Sequence, residues 1–290
     1  MKKLFSLLLG ILLLTGCAPA TYDGPTVEKT VLSVREELFY GMGDDTVTQH
    51  WRNEYAYDIY GNRSMVLEYQ EGEPFLKTVM TYDESGNILR QVQYRLNGWL
   101  PKKIVDSHYT YDDRGRQLST RHHAGGLSWD DDTTVYDDEA MTRTVTTGEG
   151  AVAIDYLNEN GWVLRTEQVF PDGRRSLTEM DHSDDGTLLA TRTWEEGLLT
   201  DEHVYTYDDR GRILTHTQVK DGVSKLLFSW EYGDGWEIFI QHENGFRAVT
   251  NYHPDGRTDT VESYNEDGRL RSLATYHYTT ILVPAEEVSP

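Results

Sequence analysis

The chain has one cysteine in 290 residues, Cys17. An exported protein with a single thiol forms no internal disulfide, so its fold must rest on packing and backbone pairing. Apolar residues are also scarce, at 38%. After Leu14 no apolar run reaches the length of a membrane span. Positive charge is short as well: 27 Lys and Arg stand against 49 Asp and Glu, a net charge of −22. Without Lys2 and Lys3 the remainder carries −22 − 2 = −24. Such a surface repels phosphate backbones, and nucleic acid is not an expected partner. No H-E-x-x-H, G-x-S-x-G or phosphate-loop pattern occurs. The sequence therefore nominates no catalytic residue, no metal ligand and no cofactor.

What is present begins with a targeting segment. Lys2 and Lys3 precede an apolar run from Leu4 to Leu14, the layout of a secretory signal. The run ends in Leu14-Thr15-Gly16-Cys17, which resembles a bacterial lipobox. The resemblance implies that residues 1–16 are removed and that Cys17 is lipidated. Two or more acyl chains give lasting membrane attachment, at about 0.8 kcal/mol per buried methylene. Residues 17–29 hold two prolines and a glycine and read as a tether, leaving 30–290 as one domain. The expected location is the envelope surface, with the membrane as partner through lipid.

A phrase, Tyr-Asp-x-x-Gly, recurs along that domain. It starts at Tyr57, Tyr82, Tyr111 and Tyr207, and several steps are 25 residues. A fixed period means one structural unit copied many times. Asp, Asn or Ser at the head of a type I turn accepts backbone hydrogen bonds, and Gly at the fourth place tolerates positive φ and enters the next strand through a bulge. The same turn is expected at Asn158–Gly161, Ser183–Gly186, Asn265–Gly268 and, with His leading, His253–Gly256. A second, two-residue hairpin class is expected at Asn97-Gly98, Glu196-Gly197, Asp221-Gly222 and Asn244-Gly245. The classes mostly alternate, so long turns should line one edge and short turns the other. After Tyr136-Asp137 there is no Gly, and that turn should be distorted.

Segments of seven to eleven residues between these turns make on the order of twenty strands. Val223 to Tyr232 illustrates the alternation: Leu226, Phe228, Trp230 and Tyr232 should share a face. The expected fold is an all-β antiparallel meander. Sheets of more than about ten strands curl or split. An open trough, spiral shell or incomplete barrel is therefore expected.

With its Tyr-Asp-x-x-Gly-Arg turns the chain resembles the YD-repeat, or RHS-repeat, family. Its best copies are Tyr109–Leu118 and Tyr205–Leu214, and weaker ones run from about Tyr55 to Leu270. The resemblance implies a β-sheet that winds into a hollow shell. Large members enclose a C-terminal toxin, and others present adhesive or carbohydrate-binding surfaces. This chain has too few repeats for a large cocoon, and its tail from Thr279 to Pro290 is too short for a toxin.

The candidate binding site is an aromatic ladder: Tyr57, Tyr82, Tyr111, Tyr136, Tyr205, Tyr207, Trp230 and Tyr232. Regularly spaced rings suit stacking on sugars, whereas large aromatics more often pack as a sheet's own core. Acidic turns such as Asp112-Asp113 and Asp208-Asp209, with the run Asp130–Asp132, lack a complete calcium-loop spacing. His122 and His123 are adjacent, and strand alternation sends their rings to opposite faces, poor geometry for one metal. Three functions are expected in this order: a non-enzymatic surface lipoprotein that binds a polysaccharide or envelope protein; a structural or docking partner of a larger repeat toxin; an enzyme.

Overall fold

In a computed structural model the described residues are 26–285, apart from 42–45, 97 and 99. The signal segment, Cys17 and the Asn97 hairpin position lie outside them. Twenty antiparallel strands follow one another as a meander. The first is β1 (Thr26–Tyr40), and β2 (Val47–Tyr57), β3 (Arg63–Gln70) and β4 (Glu73–Tyr82) follow. Next come β5 (Ile88–Arg95), β6 (Lys102–Tyr111), β7 (Gln117–Ala124) and β8 (Leu127–Asp137). Then come β9 (Thr142–Thr146), β10 (Val152–Leu157), β11 (Val163–Val169) and β12 (Arg175–His182). They are succeeded by β13 (Leu188–Glu195), β14 (Leu198–Tyr207), β15 (Ile213–Lys220) and β16 (Val223–Tyr232). The last are β17 (Trp236–Gln241), β18 (Phe246–Tyr252), β19 (Thr258–Tyr264) and β20 (Leu270–Pro284).

The sheet is closed, which corrects the open form expected above. β20 pairs with β19 from Leu270 to Thr275 and with β1 from Ser272 to Pro284. Closure uses the two longest strands, 15 residues each. Open edges leave unpaired N–H and C=O groups, and pairing β1 with β20 satisfies them. Both strands reach beyond the repeat, β1 into the expected tether at Thr26 to Lys29 and β20 into the tail at Thr279 to Pro284. A ring of twenty strands spaced about 4.8 Å apart has a circumference of roughly 100 Å. Most strand residues are half-buried, and Leu67 and Val283 are the large side chains below 2% exposure among the described residues. The wall is thus a single layer with little dry core.

The turns follow their local chemistry. Asp58, Asp83, Asp112 and Asp208 each accept two backbone N–H bonds through Oδ1, from the residues two and four ahead. Gly61, Gly86, Gly115 and Gly211 sit at φ of 75° to 82°, and the ladder slips one residue at each such turn. The expected separation of turn classes holds on one rim only. Turns of the long kind also span 147–151, 170–174 and 265–269, on the rim that carries the two-residue hairpins. Side-chain and glycine chemistry sets the turn type, while strand parity alone sets the rim. Asn244-Gly245 belongs to a four-residue turn with only Gly245 at positive φ. Glu71-Gly72 is a two-residue hairpin that the turn pattern missed. At 138–141 the glycine is missing and Met141 takes φ 54°, the expected distortion. A bulge between Leu226 and Phe228 interrupts the alternation in β16, leaving Leu226 exposed while Phe228 and Trp230 keep a common face.

Directly paired residues share a face, and the register is consistent around the ring. One face gathers Tyr205, His216, Phe228, Trp230 and Phe239. The opposite face gathers Arg90, Asp106, His108, Arg121 and Asp130.

Candidate functional site

The repeated tyrosine is a latch. The hydroxyls of Tyr57, Tyr82, Tyr111, Tyr207 and Tyr232 donate to the carbonyls of Leu32, Arg63, Ile88, Leu188 and Ile213 at 2.6–2.9 Å. Tyr278 does the same to Thr258 at 2.9 Å. Each acceptor begins, or lies in, the preceding strand, so a tyrosine ties its own turn to the one before it. Burial pushes these phenols above their ordinary pKa. The Arg after the turn glycine completes the link. Arg116 and Arg212 each bond their own turn Asp at 2.7 Å. Their guanidinium groups lie 4.0 Å and 4.1 Å from the ring centroids of Tyr136 and Tyr232 in the next unit. Six of the eight ladder residues are thus held by turn-to-turn contacts at one rim.

The other two, Tyr205 and Trp230, belong to a different feature: an aromatic stripe across β14 to β18. Tyr205 stacks on His216 with ring centroids 4.6 Å apart. His216 lies 5.4 Å from Phe228, which stacks on Phe239 at 5.5 Å. Trp230 meets Phe239 at 5.2 Å, and Phe246 follows at 6.3 Å. These rings are all half-buried. Cross-strand pairing makes the stripe, because Tyr205 faces His216, His216 faces Phe228 and Trp230 faces Phe239.

A polar relay borders it. Gln218 donates to Asp201 Oδ1 at 2.7 Å. Asp201 Oδ2 lies 2.8 Å from His203 Nε2, and His203 Nδ1 lies 2.7 Å from His216 Nε2. Burial raises the Asp201 pKa, but hydrogen bonds from Gln218 and His203 outweigh it and the carboxyl ends below its usual range. Burial, then the neighbouring His203, lowers His216. The sequence reading found Tyr205, Trp230 and the partnership with Phe228. It missed His216, Phe239 and Phe246, whose proximity depends on a register that the bulged turns set.

A third constellation is Ser107, His122 and Asp131. Ser107 Oγ lies 2.7 Å from His122 Nδ1, and His122 Nε2 lies 2.6 Å from Asp131 Oδ2. This is a serine–histidine–carboxylate sequence, yet Ser107 is 3% exposed and Trp129 covers the His122 ring at 5.4 Å. No substrate carbonyl can approach that hydroxyl, and the arrangement ties β6, β7 and β8 together. His123 faces Asp106 across the opposite side of the wall, as alternation requires. Asp58, Asp83, Asp112 and Asp208 spend their oxygens on backbone N–H groups and on the side chain of the Asn or Arg four residues ahead. Among the described residues no cluster of three or more His, Cys, Asp or Glu is placed to hold a metal ion.

No family model matches the chain, and no curated protein matches it. Solved structures with a similar course include a TcdB2–TccC3 complex without its hypervariable C-terminal region. The identity is 14% and the TM-score 0.34, over 82% of this chain and 14% of that one. A porin-like protein from Bacteroides uniformis matches at 11% identity and a TM-score of 0.41, over 89% of this chain and all of that one. The Photorhabdus luminescens Tc holotoxin pore, carrying a TccC3 mutation, matches at 11% identity and a TM-score of 0.20, over 86% and 19%. The chain thus spans a small part of the toxin chains and the whole length of the porin-like one.

Proposed function

We propose that this protein is a non-enzymatic binding module, lipid-anchored at the cell envelope through Cys17, whose aromatic stripe holds an extended neutral saccharide. The observation that carries this reading is the run of half-buried rings from Tyr205 to Phe246 on one face. Five neighbouring strands spaced by about 4.8 Å make a platform roughly 20 Å long, which suits a chain of sugars better than a single small molecule. Ring faces stack on the apolar faces of sugars, and Asp201 and Gln218 at one end supply hydroxyl partners. Both faces of the wall are charged: Arg90 and Asp106 lie on one, Arg143 and Asp155 on the other. A lipid-spanning barrel needs an apolar outer band, so the charges favour a body in water.

Calorimetric titration with neutral envelope oligosaccharides tests the proposal. Trp230→Ala and Phe239→Ala should each weaken binding about tenfold or more, since truncating an aromatic anchor at the centre of a binding surface costs on the order of 2 kcal/mol. Tyr207→Phe, which touches only a rim latch, should bind as the parent does. Equal affinity for all four proteins, or no affinity for any neutral oligosaccharide, would sink the reading.

A further inference from the structure

The chain is strongly acidic, yet three consecutive strands are basic. β5, β6 and β7 carry Arg90, Arg95, Lys102, Lys103 and Arg121 against the single acid Asp106. Asp106 is 4% exposed and fully engaged. Arg90 grips both its oxygens at 2.7 Å, Lys103 Nζ lies at 2.9 Å and His108 Nε2 at 3.1 Å. The hydrogen bonds of Arg90, above all, hold the Asp106 carboxyl far below the usual carboxylate range. One carboxylate is thus shared by two permanent cations and a histidine, and positive charge is left over.

That surplus borders a trough. Along β6 and β7, His108, Thr110, Ser119, Arg121 and His123 line a hollow of about 390 Å³. A second hollow of about 300 Å³, floored by the Gly125-Gly126 hairpin and flanked by Lys103, meets the first at His123. The lining side chains are hydrogen-bond donors: a guanidinium, two imidazoles and two hydroxyls. Arg121 donates to both oxygens of Asp130, at 2.6 Å and 3.2 Å, which orients its guanidinium and leaves its remaining N–H groups for a ligand. Beside the trough Arg90 and Lys103 share Asp106, while Arg121 pairs with Asp130.

We propose that this trough is an oxyanion-binding site, taking a carboxylate, sulfate or phosphate group. It lies on the opposite face of the wall from the aromatic stripe and does not depend on it. Arg121 meets an anionic group in the first hollow and Lys103 one in the second, each through charge-assisted hydrogen bonds, and the Thr110–Ser119 hydroxyl pair, 2.7 Å apart, leaves one O–H to donate. Two joined hollows fit an anion carried on an elongated chain, and a free ion fits either one.

The test uses inorganic sulfate and a linear oligouronate as separate probes, titrated into the mature protein at low and moderate salt. Binding of the oligouronate alone assigns the anion to a polymer, and equal binding of sulfate assigns it to a free ion. Both outcomes support the site. Arg121→Gln with Lys103→Gln should lower affinity about tenfold or more. Arg121→Lys should retain part of it, and thermal unfolding of each variant checks the fold. Arg210→Gln removes the same charge from the turn between β14 and β15, well away from β6 and β7 around the ring, and should change affinity little. The proposal is overturned if neither probe binds, if the double variant binds like the parent, or if Arg210→Gln weakens binding as much as Arg121→Gln. Neutral-oligosaccharide binding by the double variant should be unchanged, so failure here and failure of the stripe remain separable.

Discussion

At the scale of single residues, two turn glycines that look alike in sequence do different jobs. Gly186 and Gly211 both close an x-x-x-Gly turn at positive φ, 89° and 75°. A Cβ on Gly211 would meet nothing within 4 Å. A Cβ on Gly186 would fall 2.3 Å from the Trp162 ring, which rests against the turn. Gly211→Ala should therefore cost only the left-handed penalty of about 1–2 kcal/mol. Gly186→Ala adds an overpacking cost, for about 2–5 kcal/mol in all. Urea unfolding of the two variants measures the difference. Equal losses would mean that Trp162 gives way freely. The distinction is invisible in the motif, because it depends on which side chain the neighbouring turn supplies.

At the scale of elements, strand and long turn form one mechanical unit. Tyr207 ends β14, its hydroxyl holds Leu188 at the start of β13, and Asp208 organises the turn that follows. Tyr207→Phe keeps the ring and removes that hydrogen bond, so it should cost about 1 kcal/mol in equilibrium unfolding. An unchanged midpoint would reduce the latch to packing alone. Strand number, the Tyr-Asp-x-x-Gly turns and β16 from Val223 to Tyr232 were all legible, because each depends on neighbours within a few residues. The tyrosines' role was not: Tyr57 reaches Leu32, which sits 25 positions earlier. The His122 and His123 faces were legible from alternation, while the Ser107 and Asp131 partners of His122 needed the register of three strands.

At the scale of the whole molecule, the charges predict how stability responds to pH. Among the described residues ten aspartates have carboxyls held below their ordinary value, while Glu68 is raised by burial. The unfolded chain then binds more protons than the folded one in acid. The stability these aspartates provide is complete above the ordinary carboxylate range, near 4, and is lost as pH falls through their depressed values. His216, lowered by burial and His203, acts in the same direction below its ordinary value of about 6.5. On the alkaline side, burial and then Glu54 push Tyr69 up to about 12, so its contribution fades as pH climbs from about 10 to that value. Urea midpoints should fall from neutral pH towards pH 3; a midpoint that rises on acidification would contradict this. The closure of β20 on β1 also fixes the order of events during synthesis. Each hairpin forms from residues made moments apart, but Ser33 must wait for His277, 244 residues later, before the ring can seal. Until the last strand emerges, the growing sheet carries two bare edges open to other chains. The final fifteen residues of sheet are therefore the step at which this protein either becomes a finished body or aggregates.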